Sequence, residues 1–258
     1  MISRNYAVGV ECKKMLEEAA RRHLPIKVTN RRGYLWQVYN SNFLGLQSGR
    51  LALASPKDND QTEAIEPTQG QEIAVSFKKG YHKCLFVTRI LNCGQFEIEP
   101  GVSAPAMTVL APQQVEKVQR RAFNRAAAPA GEPVIVSFAP SWQDPDTSPA
   151  LSGHARLHDL SAGGLGLVMP LDKMPKLKTG DQFKLCFVPW PGQEPIHLEA
   201  RFRHATEPDQ NGNVILGLQI VGLEMTEEGR GRLRRIGRVV GVYNRREPIG
   251  QHLNLMHQ

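Results

Sequence analysis

Two short stretches carry residue types that could hold a small polar ligand. Arg120-Arg121-Ala122-Phe123-Asn124-Arg125 contains an R-x-x-x-R step at Arg121 and Arg125, with Arg120 as an extra cation. Asp159-Leu160-Ser161-Ala162-Gly163-Gly164 contains a D-x-S-x-x-G step. A guanidinium is always charged and planar, so it can grip a phosphate bidentately or meet the O6/N7 edge of guanine. An ionised Asp159 only accepts hydrogen bonds, which suits the N–H groups of a guanine Watson–Crick edge. Ser161 can donate or accept beside it, and Gly163 and Gly164 let a flat ligand approach the backbone where no Cβ intrudes. Each stretch alone is commonplace. Two arginines four apart usually lie on a solvated face, and Asp and Ser before two glycines usually form a turn. Together, in this order and flanked by strands, they describe a surface for guanine, ribose and phosphate.

Other chemistries lack their residues. Gly164-Leu165-Gly166 has no third glycine and opens no helix, no G-x-x-x-x-G-K-[ST] is present, and Ser161 is not in G-x-S-x-G. His154 and His158 lie on one face of an expected strand with no third ligand, so no metal site is expected. Asp144, Asp146 and Asp172 show no pairing suited to acid–base work. The expectation is a binding protein, not an enzyme, with no cofactor. Cys12, Cys84, Cys93 and Cys186 are far apart, which argues against a disulfide framework or a thiolate zinc site. No apolar run approaches the ~20 residues that span a bilayer, and the first residues lack an apolar signal core, so a cytoplasmic chain without membrane insertion is expected. Lys and Arg exceed Asp and Glu by 32 to 25, a balance of +7 that favours an anionic partner. Arg230, Arg232, Arg234, Arg235, Arg238, Arg245 and Arg246 supply much of it. They support an alternative reading as a basic nucleic-acid-binding barrel, against which stands the simpler reading of a solvated helix face.

The elements that position these residues are mostly strands. Residues 6–23 carry apolar positions at three- and four-residue steps and read as a helix ended by Pro25. Strands are predicted at 26–29, 34–39, 44–54, 72–77, 83–91 and 95–99, with turns at Asn40-Ser41-Asn42 and Asn92-Cys93-Gly94 and a polar loop from Pro56 to Gly70. Composition shifts at 111–125. Strands follow at 134–138, 154–160, 165–169, 182–188, 197–204 and 214–221, with a long polar loop from Pro140 to Gly153 and a hairpin turn at Asp209–Asn213. Thr226 is placed to cap a last helix with Leu233, Ile236, Val239 or Val240, and Tyr243 on one stripe. The fold class is mostly β: two small barrels, with a helix near each end of the chain. The boundaries expected are 1–112 for the first domain, 113–119 for a linker, 120–246 for the second domain and 247–258 for a tail.

The two motifs resemble the PilZ domain, a bacterial receptor family for cyclic di-GMP, from about Gln119 to Arg246. Arg121 and Arg125 match its R-x-x-x-R, and Asp159, Ser161 and Gly164 match its [DN]-x-S-x-x-G. Leu216–Ile220 is similar to its closing strand. The first half, a helix and then strands ending before Gln-Arg-Arg, is similar to the flagellar brake (YcgR-like) type of two-domain PilZ protein. That resemblance implies a split barrel ahead of the PilZ barrel and a ligand site formed by Arg120, Arg121, Arg125, Asp159, Ser161, Gly163 and Gly164. It also implies an effector that changes domain arrangement on binding cyclic di-GMP. Its output would be protein contact with the flagellar motor and reduced motility, at the basal body, or alternatively polysaccharide production.

Overall fold

In the computed structural model, residues 5–55, 68–80, 82–119, 125–141 and 152–246 are described. The expected loops at 56–70 and 140–153 lie largely outside them, and the tail from Pro248 lies wholly outside. The chain separates into two compact units. Met1–Arg120 with Gly222–Gly231 form the first, and Arg121–Val221 with Arg232–Gln258 form the second.

The first unit holds β1 (Tyr6–Val8), α1 (Gly9–Arg21), β2 (Pro25–Arg32), β3 (Leu35–Gln47), β4 (Arg50–Ala54), β5 (Glu72–Lys79), β6 (His82–Glu99), β7 (Val102–Leu110) and β8 (Gln114–Gln119). Strands β2, β3, β4, β7, β6 and β5 pair in a closed antiparallel ring. The long strands β3 and β6 make closure possible by passing from one sheet to the other, each through a register shift, at Phe43/Gly45 and Ile90/Asn92. Helix α1 buries Cys12, Met15, Leu16, Ala19 and Ala20 in the same core as Phe43, Val75 and Phe86. It ends before Pro25. His23 takes a left-handed φ of 46°, and the amides of His23 and Leu24 donate to the Ala20 and Ala19 carbonyls, a Schellman stop.

Several expectations for this unit are corrected. Asn40-Ser41-Asn42 is not a turn but part of β3, because polar side chains there find backbone partners: Ser41 Oγ donates to the Ala54 carbonyl (2.6 Å) and Asn42 Nδ2 to the His23 carbonyl (3.0 Å). Asn92-Cys93-Gly94 follows the bulge at Leu91 and pairs regularly with Thr108, Met107 and Ala106 of β7, so the two strands expected at 83–91 and 95–99 are one. Strand β7 went unread because Pro105 interrupts its pattern. The proline lies one residue past the last rung with β4, Ala54↔Ala106, and its carbonyl accepts from Ser55 N–H. The stretch expected as a linker, 113–119, holds β8, paired to both β1 and β6. Its Gln- and Lys-rich composition hides a strand that buries Val115, Val118 and even Glu116, whose carboxylate meets Arg230 Nε at 3.3 Å.

The second unit holds β9 (Ala126–Ala127), β10 (Ile135–Pro140), β11 (Gly153–Ser161), β12 (Gly164–Pro170), β13 (Gln182–Phe187), β14 (Ile196–Ala205) and β15 (Asn213–Val221). Here β10, β13, β14, β15, β12 and β11 close a second antiparallel ring, with β9 added on the β11 edge. Alternate residues such as Leu157, Leu167, Leu185, Leu198 and Leu216 fill it. Helix α2 (Glu227–Arg246) is capped as read, with Thr226 Oγ1 accepting from Gly229 N–H at 3.0 Å. Its expected stripe of Leu233, Ile236, Val239, Val240 and Tyr243 is buried, and the Tyr243 hydroxyl donates to the Pro189 carbonyl at 2.9 Å. No helix among the described residues is long and apolar enough to cross a membrane.

Within the first unit, Lys83 on β6 and Glu224 form a largely buried pair with N–O 2.6 Å. Burial raises the Glu224 carboxyl, but the Lys83 charge and hydrogen bond outweigh it, so the group is held below the usual carboxylate range. A carboxyl depressed on folding contributes stability above its unfolded value and loses it as pH falls through the folded one. Lys83→Met, which strands the carboxylate, is expected to destabilise the protein by about 3 kcal/mol at neutral pH, the low end for breaking a buried pair. The gap between variant and parent should narrow below about pH 4, where the carboxyl is protonated in the unfolded chain. Urea melts at both pH values measure this; an equal gap at both would contradict it.

Candidate functional site

The site assembles on the outer surface of the second barrel. Strand β9 is only two residues long, yet it pins the end of the arginine stretch to β11 through the rungs Asp159↔Ala127 and Leu160↔Ala126. The Ala128 amide donates to the His158 carbonyl at 2.8 Å and extends the match. This brings residues 34 apart in sequence together. Arg125 Nη1 donates to both carboxylate oxygens of Asp159, at 3.1 and 3.3 Å. The guanidinium is mostly exposed (57%), whereas the carboxylate is mostly covered (14%). His158 Nδ1 lies 3.1 Å from Oδ2 of the same carboxylate. A β-bulge between Leu157 and Asp159 makes His158 the extra residue and re-aims the strand at this point.

Ser161 and the glycines build the adjacent hairpin. Ser161 pairs with Gly164 across the two-residue connection Ala162-Gly163. The Ser161 hydroxyl donates to the Gly164 carbonyl (3.0 Å) and accepts from Gly163 N–H (3.4 Å), and the residue is buried. In this structure it shapes the turn from within. Gly164 has a packing reason for lacking a side chain: a Cβ there would lie 2.5 Å from the Leu218 carbonyl oxygen on β15. The Gly163 carbonyl accepts from Ile220 N–H at 3.1 Å. Arg120 and Arg121 lie outside the described residues, as do Asp144 and Asp146.

Three residues that the sequence reading passed over belong to this surface. Asp159 faces Gly166 on β12, Gly166 faces Gly217 on β15, and Gly217 faces His204 on β14. A Cβ on Gly166 would come within 3.0 Å of Asp159 Oδ2, and one on Gly217 within 2.4 Å of the His204 ring. The signal available was a glycine inside each of two strand patterns, which marks close approach. Nothing in the sequence singled out His204. Among the described residues no group of three or more His, Cys, Asp or Glu side chains is placed to hold a metal ion. The arginines of α2 are partly spent on their own unit: Arg235 donates to the Pro195 and Glu194 carbonyls.

This geometry offers an acceptor held on a paired strand, a cation on its solvent side, and two strand glycines over which the carboxylate and an imidazole lie flat. Residues 119–236 match the family model described as PilZ domain. The chain is 28% identical to the flagellar brake protein YcgR of Methylotenera mobilis over 141 residues, 54% of each chain. It is 36% identical to that of Erwinia tasmaniensis over 80 residues, 31% of this chain and 30% of that one. The matched stretch therefore spans about half, or less, of the curated relatives. Among solved structures, apo K. pneumonia MrkH is similar over 95% of this chain and 100% of its own, with 11% identity and a TM-score of 0.53, a likeness of fold. With both halves of the motif brought onto one barrel surface and the family model covering that barrel, residues 119–236 are a PilZ domain.

Proposed function

We propose that the chain is a cyclic di-GMP-binding effector. The observation that carries this reading is the Arg125–Asp159 pair, which joins the two motif halves on the barrel surface. An exposed pair of this kind is worth about 0–1 kcal/mol, so a ligand can replace it at little cost. The guanidinium turns to a phosphate and keeps an anionic partner. The carboxylate is released to accept from the N–H edge of guanine. Arg120 and Arg121 add charge, the exposed Gly163 opens the backbone to the ligand, Gly164 lets the hairpin pack against β15, and Ser161 holds the turn on which they sit. Positive net charge draws a doubly anionic ligand in.

The output proposed is regulation of motility through protein contact, in the cytoplasm at the flagellar basal body. The names of the curated relatives, flagellar brake proteins, support it. So does the chain order: Arg120, Arg121 and Arg125 belong to the stretch that leads from β8 of the first unit to β9 of the second, so a ligand held by them also acts on chain that passes between the units. A ligand shifts a domain equilibrium only through its differential affinity for the two arrangements, and a site at the joint supplies one. The proposed boundary accordingly falls at residues 120–125, after β8.

Arg121→Ala and Arg125→Ala are each expected to weaken cyclic di-GMP binding by one to two decades, about 1.5–3 kcal/mol for a lost charge-assisted hydrogen bond, without unfolding the protein. Arg121→Lys should recover little, since an ammonium has no bidentate fork. Calorimetric titration measures this, and parental affinity in both alanine variants removes the assignment. Asp159→Ala should reduce the preference for cyclic di-GMP over cyclic di-AMP more than it reduces phosphate attraction, and an unchanged affinity ratio refutes the carboxylate's role. Small-angle scattering should change at saturating ligand; an unchanged curve at full occupancy rules out rearrangement while leaving the binding site intact.

A further inference from the structure

The row Asp159–Gly166–Gly217–His204 crosses four adjacent strands of the second barrel, β11, β12, β15 and β14, in unbroken register. Its two middle positions have no side chain. Their neighbours along each strand, Leu165, Leu167, Leu216 and Leu218, are buried, so by the alternation of strand side chains Gly166 and Gly217 face outward. Both ends of the row sit at β-bulges, one between Leu157 and Asp159 and the other between Phe202 and His204. Bulges re-aim side chains, and here each aims a polar group inward over a glycine. The Asp159 carboxylate covers the open face of Gly166, and the His204 imidazole covers that of Gly217.

We propose that His204 is a second base-reading residue, donating a hydrogen bond to the guanine whose N–H edge Asp159 accepts. This rests on the cyclic di-GMP reading above and extends it to a residue outside both motifs. The two ends of the row have complementary chemistry. An ionised carboxylate can only accept, whereas a neutral imidazole carries one N–H donor. Guanine offers donors at N1 and N2 and acceptors at O6 and N7, so it can satisfy both ends. Adenine places the N6 amino group where guanine has O6, so the imidazole N–H that meets guanine finds a donor there and the ring must change tautomer to accept from it. With no Cβ at 166 or 217, the carboxylate and the imidazole lie down against the backbone and present their polar atoms along one flat surface on which a purine can rest. His204 is exposed and lies outside the core of the barrel, so its replacement leaves folding intact.

The test is calorimetric titration of the full chain with cyclic di-GMP and with cyclic di-AMP. His204→Ala should weaken cyclic di-GMP binding about tenfold, the upper range for one neutral hydrogen bond, and leave cyclic di-AMP unchanged, so that the preference narrows. His204→Gln, which keeps an N–H donor, should restore most of the loss. Gly217→Ala should also weaken binding, because its Cβ must push the imidazole aside, but it should add nothing in the His204→Ala background. Equal weakening toward both nucleotides would make His204 a mere cover for Gly217 and overturn the inference. So would parental affinity in His204→Ala. If the parent chain itself takes up no cyclic di-GMP, the site reading fails and this inference falls with it; a parent that binds with an indifferent His204→Ala sinks the inference alone.

Discussion

Strands that must run close together leave no room for a Cβ wherever another group already occupies the outward position. That constraint governs the second barrel where β11, β12 and β15 lie side by side. Gly164 passes the Leu218 carbonyl at a distance no side chain allows, Gly166 lies beneath the Asp159 carboxylate, and Gly217 lies beneath the His204 ring. Ring closure through β10 and β11 fixes the positions of these strands, so the glycines are what let the ring close and still carry polar groups flat on its surface. A site built this way is held by main-chain hydrogen bonds, which makes it rigid on the barrel side.

The opposite wall is different in kind. Arg125 enters from the chain just ahead of a two-residue strand and reaches Asp159 by a guanidinium that stays largely in solvent. Coulomb attraction in that setting is weak, and its exchange for a phosphate conserves charge. The arrangement therefore combines a carboxylate held on a paired strand with a cation exposed to solvent. On the reading proposed above, such a pairing suits a ligand that brings both hydrogen-bond donors and negative charge.

Local patterns transmitted much of this. The last helix, its Thr226 cap and its buried stripe follow from side-chain spacing, since a helix face is a matter of residues three and four apart. The strands of the second barrel were legible from their short apolar runs bounded by turn residues. The first barrel was harder. Strands β3 and β6 bend through bulges with polar residues at the bend, and those residues resemble turns until their distant partners are known. Strand β8 looked like a linker because its one buried carboxylate is matched by Arg230, more than a hundred residues away. Strand β7 was hidden by Pro105, which the sheet tolerates only because of where β4 stops.

What the sequence by itself determined is the inventory: arginines in an R-x-x-x-R step, an Asp, a Ser and glycines at the spacing of a ligand-binding hairpin, all within a mostly β chain. Side-chain chemistry and local periodicity are properties of short segments, so they can be read without a fold. Only the tertiary structure decided which groups face one another. It placed Arg125 on Asp159, turned the Ser161 hydroxyl into its own hairpin, and set Gly166, Gly217 and His204 in one row with the carboxylate. Those relations come from strand register around a closed ring, and register is fixed by the pairing of segments far apart in the chain, which no local pattern records.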